Sequence, residues 1–537
     1  MKIGIDLGTT NSAMAVFTED GEVEILENET GDPTTPSLIF VEENNGDGDQ
    51  LTIGKNAIRK RRVNPDRVLS RTKQYIDSNQ EKTWKIDGNE HTPRDAASYI
   101  LGHLFDQAEK RLEEEVTGAV ITVPYDFGAT GRRATEDAAK LAWGEDFEVH
   151  QVINEPTAAS LAYVHQMGTT GTVLVYDLGG GTFDATLAKA SPSLIQVIST
   201  EGNRKLGGED LDDELYEHVR QKIIDEGLTD PEDVNAHTRA SLREDVTEAK
   251  ERLSDLKSET IVFEADGDVA EIKISRSEFE AAITEKIDTT FDKIETLFEK
   301  DTVVEAGITP GDVDHVLLVG GSTRIPLVQD RVKDFFDVDP KLSVNADTAI
   351  AEGAAIKAAE YSDLEPENVP RIGVGDVLSH SIGLEDNERK FNLFLEADTG
   401  VPEDETMGPY TNPQANPKHL EIPVWEKAED GQDLGDINED PDDSDAPERI
   451  GGLTFEDIGD VEAGEMRIDV TFEAKPDGTL KVSAEETEVL NRTIETTIEG
   501  LGLSKEEIKE RREGDEDRTG VDLVDEFSGI SEQDEDD

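Results

Sequence analysis

Two short segments of this chain carry the same set of groups: a carboxylate at the end of an apolar run, then glycine, then a hydroxyl. Asp6 precedes Gly8-Thr9-Thr10, and Asp177 precedes Gly179-Gly180-Gly181-Thr182, with Asp184 just beyond. A glycine turn offers main-chain N–H groups to phosphate oxygens, and nearby carboxylates can order a hydrated Mg²⁺. One such turn alone is an ordinary hairpin signal. Two of them, facing each other across a cleft, could cradle a triphosphate. A G-x-x-x-x-G-K-[ST] loop is absent, so a P-loop site is not indicated. A third turn, Gly320-Gly321-Ser322-Thr323-Arg324, follows the apolar run Val316 to Val319. Glycine there lets an adenine or ribose approach the main chain, and Arg324 could stack on the base.

Such groups need strands and helices to aim them. Strand-like runs at Lys2 to Asp6, Ala119 to Val123 and Thr172 to Tyr176 alternate with helical patterns at Ser98 to Glu115 and Arg132 to Ala142, which predicts an α/β architecture. The return of strand, Asp-Leu-Gly, glycine, threonine and strand from Asp177 predicts an internal duplication. A helix over Leu242 to Leu256 and a hairpin turning at Gly267-Asp268 follow. The next helix carries the stripe Phe279, Ile283, Ile287, Phe291, Ile294 and Phe298, read as packing core. Pro366, Pro370, Gly373 and Gly375 mark a break between Tyr361 and Asp376. The pattern then becomes all-β: Ile468, Val470 and Phe472 alternate with polar residues, and Leu480, Val482 and Ala484 answer across an Asp477-Gly478 turn. The acidic stretch Glu426 to Glu448 reads as a disordered loop, and the acidic run from Glu513 as a solvated tail.

A chain of 537 residues should divide into two to four folding units. Its 124 acidic and 52 basic residues give a formal charge of −72, strongly self-repulsive unless salt screens it. The acids are spread through regularly patterned segments, which points to a halophilic cytoplasm rather than to intrinsic disorder. No basic patch is visible, so nucleic acid is not expected as a partner. No apolar run is long enough to cross a bilayer, and Asp6 interrupts any signal peptide; a cytoplasmic location without a membrane partner is expected. The absence of cysteine excludes disulfides, thiolate zinc sites and a thiol nucleophile.

The sequence resembles the seventy-kilodalton heat-shock chaperones (the DnaK type). The matching stretches, in family order, are IGIDLGTTNS (Ile3 to Ser12), ITVP (Ile121 to Pro124), INEPTAA (Ile153 to Ala159), YDLGGGTFD (Tyr176 to Asp184), LGGED (Leu206 to Asp210) and LVGGSTRIP (Leu318 to Pro326). Actins and sugar kinases share the phosphate turns; INEPTAA with LGGED is particular to the chaperones. The resemblance implies an actin-like ATPase domain of duplicated ribonuclease H-like halves over 1–362, a linker over 363–376, a small β-sandwich that binds clients over 377–500, and a short helix with an acidic tail over 501–537. It implies ATP and Mg²⁺ as ligands. Asp6, Asp177 and Asp184 would order the Mg²⁺ shell; Thr9, Thr10 and the second glycine turn would contact phosphate; Lys73 would reach the γ-phosphate and the attacking water; and Glu155 would orient that water or accept its proton. Asp184 is counted with Lys73 and Glu155 among the catalytic groups. Gly207, Gly208, Lys250, Ser254, Gly320, Gly321, Ser322, Arg324 and Asp347 would hold the nucleotide. Unfolded apolar segments as clients, a J-domain partner and a nucleotide-exchange factor are implied as well.

Several positions depart from the family. Thr247 stands where the nucleoside-binding helix supplies a glutamate, at i, i+3 and i+7 with Lys250 and Ser254. Pro124 and Arg132 match a pair that relays nucleotide state to the second domain, but Tyr125 and Asp126 beside them differ. Tyr410, Leu420 and Ile422 fall where the family lines its peptide groove, while Asp386 and Asn387 put polar groups at the arch above it. After Leu503 only one short charged helix is expected in place of a long lid. The linker reads Ile372-Gly373-Val374-Gly375, with glycines that predict little area to dock on the ATPase domain. A regulatory ATPase that has lost client binding therefore stands as an alternative; a small-molecule kinase or an actin-like filament fits less well with the all-β segment.

Overall fold

The computed structural model describes residues 1–42, 50–77, 82–144, 147–168, 170–265, 267–341, 345–365, 368–434, 446–475, 479–498, 503, 507–509 and 511. Its first large sheet runs Glu148–Asn154, Gly118–Val123, Lys2–Asp6, Asn11–Phe17, Val23–Ile25, with Thr34–Pro36 also paired to Asn11–Phe17. The second runs His315–Val319, Gly171–Leu178, Phe183–Ser191, Leu194–Asn203, Gly373–Gly375. In both, the strand that ends near a glycine turn has a parallel neighbour on one side and opens an antiparallel meander on the other. The duplication seen in the motif is thus a duplication of topology. Gly171–Leu178 is buried along nearly its whole length, which is why it reads as an unbroken apolar run.

The helices that cover these sheets follow from their stripes. Pro93–Leu112 starts on a Thr92/Asp95 capping box and ends at Glu113 in the left-handed region, so the helical pattern extended to Glu115 overshoots. In Arg276–Glu299 the residues Phe279, Ile283, Ile287, Phe291 and Ile294 are buried in the core of the second sheet, and Phe298 packs at its edge. The hairpin Ser258–Ala265 with Asp268–Ser275 precedes it. Between the two lobes lies Ala349–Ala358, whose main chain approaches its neighbours closely. A Cβ on Gly4 would stand 2.0 Å from the Ala355 nitrogen, and one on Gly353 would stand 1.7 Å from the Ala158 carbonyl oxygen. Only glycine allows that contact.

Beyond residue 376 two four-stranded sheets face each other. One has the order Phe391–Leu395, Ile382–Glu385, His419–Glu426, Glu448–Glu456; the other Glu403–Tyr410, Ile468–Ala474, Leu480–Glu486, Arg492–Ile498. Ile468, Val470, Phe472, Leu480, Val482 and Ala484 share the core, with Tyr410, Leu420 and Ile422 packed against it. The Asp477-Gly478 turn lies outside the described residues. Asp386 is committed to its own turn, where its Oδ1 accepts from the main-chain N–H of Glu388 and Lys390 at 2.8 and 2.9 Å.

Three expectations need correction or completion. The linker docks: Gly373–Gly375 forms a fifth strand beside Leu194–Gln196, and a Cβ on Gly375 would meet the Gln196 side chain at 2.4 Å. Main-chain hydrogen bonds there replace the apolar area that the glycines lack. The ends of the acidic stretch are ordered: Glu426 closes one strand, Glu448 opens the next, and Ala428 and Leu434 are buried, while 435–445 lie outside the described residues. Of the C-terminal segment, the Leu503 N–H donates to Asp137 at 2.7 Å, Ile508 is buried, and Arg511 pairs with Asp95 at 3.1 Å, so these residues rest on the first lobe's helices. The acidic tail lies outside the described residues. Among the described residues no helix is long and apolar enough to cross a membrane.

Candidate active site

A cleft of about 380 Å³ opens between the two sheets, at the strand ends where both Asp-Leu-Gly segments terminate. Its walls carry Asp6, Gly8, Thr9, Thr10, Lys73, Glu155, Asp177, Gly179, Gly180 and Thr182, the groups expected to face phosphate, together with Gly208, Thr247, Lys250, Ser254, Gly320, Gly321, Ser322, Arg324 and Asp347. The first two glycine turns touch: a Cβ on Gly180 would lie 1.8 Å from the Thr10 hydroxyl oxygen. Gly181 and Gly207 stand just behind the wall, main chain against main chain, where a Cβ on Gly207 would reach the Gly181 nitrogen at 2.4 Å. Asp184 is also set back, buried opposite Gly202 on the neighbouring strand.

Lys73 sits in the short helical turn Thr72–Tyr75, and its ammonium pairs with the Glu155 carboxylate; both side chains are almost fully buried. Glu155 is the first residue of the helix Glu155–Met167, with Pro156 next, a natural helix start after the strand that ends at Asn154. Burial is the main cause that pushes the Asp6 carboxyl up to about 7; Glu155 adds to the rise, and Lys73 and the Thr122 hydroxyl, 3.4 Å away, oppose it. Asp177 and Asp184 are pushed well above the usual carboxylate range, again chiefly by burial and then by neighbouring carboxylates. This surplus of buried negative charge fits a divalent cation. Asp6, Asp177 and Asp184 are the groups that would hold Mg²⁺, an ion that dehydrates reluctantly and keeps several waters.

Among the groups expected to meet a nucleoside, Thr247, Lys250 and Ser254 share one face of the helix Ala236–Asp255. The Lys250 ammonium donates to the Gly208 carbonyl at 2.8 Å and pairs with Asp212 at 3.0 Å. Arg324 pairs with Asp347 at 2.6 Å and donates to Asn345 at 3.2 Å. The Ser322 hydroxyl donates to the Gly179 carbonyl at 3.0 Å, which ties the third turn to the second.

The sequence reading passed over Glu209, Asp212 and Glu251, which also line the cleft. Glu209, inside LGGED, pairs with Arg71 across the cleft, yet burial still pushes its carboxyl up to about 7. Glu251 lies four residues beyond Thr247, one turn along the same helix, and helical spacing was the signal that could have found it. Arg132, expected to act in a relay, donates to Asn154, and the Asn154 and Thr157 side chains both donate to Asp376 at 3.1 Å. Tyr125 donates through its hydroxyl to the Leu378 carbonyl at 2.9 Å and to Asp398 at 3.1 Å.

Comparison with known proteins agrees with this geometry. The chain matches the family described as Hsp70 protein over residues 2–536. It is 35% identical over 518 residues to the chaperone protein DnaK of two strains of Halobacterium salinarum, an alignment that covers 95% of this chain and 77% of each relative. With paired glycine turns, a buried carboxylate set between duplicated sheets and a β-sandwich beyond them, the chain belongs to the Hsp70 family.

Proposed function

We propose that this protein is an ATP-hydrolysing chaperone in which residues 1–362 form the ATPase unit, 363–376 the linker and 377–500 the client-binding sandwich. Membership of the Hsp70 family supports ATP-dependent chaperone activity in general. The observation that carries the residue assignment is the cleft itself, which brings both glycine turns together with Lys73, Glu155, Asp6 and Asp177.

In this reading the N–H groups of the two turns, with Thr9, Thr10 and Thr182, bind phosphate. Asp6, Asp177 and Asp184 order the water shell of Mg²⁺, whose chemistry when bound is to neutralise charge on the phosphates. Lys73 approaches the γ-phosphate, and Glu155 orients a water or takes its proton. Gly320, Gly321, Ser322, Arg324, Lys250, Ser254 and Asp347 hold the nucleoside, and Gly207 and Gly208 let the third side of the cleft close on it. Apolar segments of unfolded proteins are the clients, a J-domain protein and a nucleotide-exchange factor the partners, and the cytoplasm the place of action.

The polar arch at Asp386 and Asn387 favours a second reading, a regulatory ATPase that no longer takes clients. One assay separates the two: ATP turnover in molar salt with and without an unfolded apolar peptide. Turnover that responds to peptide supports the chaperone, turnover that ignores it supports the regulator, and no turnover removes both.

A further inference from the structure

Where the sandwich meets the ATPase lobes, five charged side chains from three bodies form one cluster, and three of them are buried. Asp77 Oδ2, on the first lobe, receives Arg204 Nη1 of the second lobe at 2.6 Å and Lys427 Nζ of the sandwich at 3.5 Å. Arg204 also pairs through Nε with Asp126 at 2.5 Å, and Lys427 pairs with Glu448 at 3.4 Å. The Lys427, Asp77 and Glu448 side chains are 4%, 2% and 4% exposed, so this lysine is not a solvated one. Next to it, both oxygens of Glu426 accept from the Ala129 N–H at 3.2 and 3.3 Å. They cap the helix Ala129–Trp143, whose own N-terminal Gly128 offers no side chain.

Both ends of the cluster lead to the cleft. Asp77 lies four residues beyond Lys73, one past Ile76, which caps the turn Thr72–Tyr75. Arg204 lies two residues beyond Gly202, where a Cβ would stand 2.3 Å from Asp184 Oδ1. We propose that Lys427 is a positioning residue for ATP hydrolysis: by pairing with Asp77 it fixes the turn that carries Lys73, and so makes turnover depend on whether the sandwich is docked. This rests on the ATPase reading above.

Burial decides why this contact, rather than the many surface pairs, serves the purpose. In about molar salt the screening length is roughly 3 Å, so exposed pairs contribute little, while a pair shut away from ions keeps its strength. Removing one member of such a cluster leaves its partners as uncompensated buried charges. Without Lys427, Glu448 has no cation among the described residues and Asp77 keeps only Arg204.

The test uses the full chain in molar KCl as wild type, Lys427→Met and Lys427→Arg, with steady-state ATP turnover measured with and without an unfolded apolar peptide. Hydrogen exchange of residues 371–377 reports linker docking in the same samples. For Lys427→Met the expected result is a kcat without peptide that changes about threefold or more, a KM for ATP that moves less than about twofold, and loss of the peptide response. Linker exchange should quicken about tenfold or more. Lys427→Arg should restore all of these. Where the single variant fails to fold, Lys427→Met with Glu448→Gln leaves no orphaned carboxylate and should lose the peptide response likewise. A wild-type chain without ATP turnover sinks the ATPase reading and this one with it. A wild type that responds to peptide, with Lys427→Met responding equally, overturns this proposal alone.

Discussion

Thr10 and Gly180 meet across the cleft so closely that a Cβ on the glycine would stand 1.8 Å from the threonine hydroxyl oxygen. The atoms in the way belong to the Thr10 side chain, on the opposite phosphate turn. Gly180→Ala should therefore hold the lobes apart and weaken Mg²⁺-dependent nucleotide binding by about tenfold or more, a loss of some 1.4 kcal/mol. Isothermal titration in molar salt measures it, and wild-type affinity in this variant would mean that the turns can separate without harm.

The buried Lys73–Glu155 pair makes a second prediction. In the roles proposed for them both groups would act mainly in the transition state, so Glu155→Ala and Lys73→Ala should each slow turnover by on the order of 10²-fold while nucleotide affinity stays nearly constant. Each variant also orphans a buried charge, and Glu155→Gln, which keeps the shape, is the milder control. Single-turnover hydrolysis decides; a Glu155→Ala chain as fast as wild type would remove its catalytic assignment.

Asp6 gives a pH dependence with a definite sign. Its carboxyl titrates near 3.8 when unfolded and about 7 in the folded cleft, so between those values the folded protein holds a proton that the unfolded chain has lost. The contribution of this group to stability is full below 3.8 and is lost as pH rises through about 7. In its proposed role toward Mg²⁺ Asp6 must be ionised, so affinity for Mg²⁺ and nucleotide should fall as pH drops below about 7 and proton release should accompany binding near pH 6.5. Titration calorimetry in two buffers of different ionisation heat reads the proton directly. Asp6→Asn should lower the count, and equal proton release by both proteins would contradict the assignment.

The formal charge of −72 predicts that the fold depends on salt. At about 0.1 M the screening length is roughly 10 Å and neighbouring surface carboxylates repel; at about 1 M it is roughly 3 Å. The melting temperature followed by circular dichroism should climb steadily with KCl over this range. A flat profile would show that the acidic surface is not a salt adaptation.

Much of the site was legible because its signals are local. Glycine turns after buried strands, and the stripe of Arg276–Glu299, are set by spacing along a few residues, and spacing survives without knowledge of partners. Glu426, Lys427 and Glu448 were misread for the opposite reason. A charge run normally marks a solvated face, and only Asp77 and the Ala129 N–H, about 300 to 350 residues earlier, make these side chains worth burying. Gly373 and Gly375, by their lack of side chain, predict little area for docking. In the fold Gly375 is a requirement of close approach to Gln196, which no local pattern could reveal. Arg71 and Glu209 likewise find each other only when the lobes face across the cleft.

The contact of Lys2–Asp6 with Ala349–Ala358 also sets a schedule for the protein's own synthesis. The strand Lys2–Asp6 has its backing helix encoded about 345 residues later, and at about 5–20 residues per second that helix follows it from the ribosome roughly 20–70 s behind. During that interval the strand can pair with Gly118–Val123 and Asn11–Phe17, but one face of its central glycine stays bare. The nascent chain therefore passes through a long stage in which an apolar sheet face awaits its cover. A protein of this family, while it is being made, presents the same kind of surface that its finished form is proposed to bind.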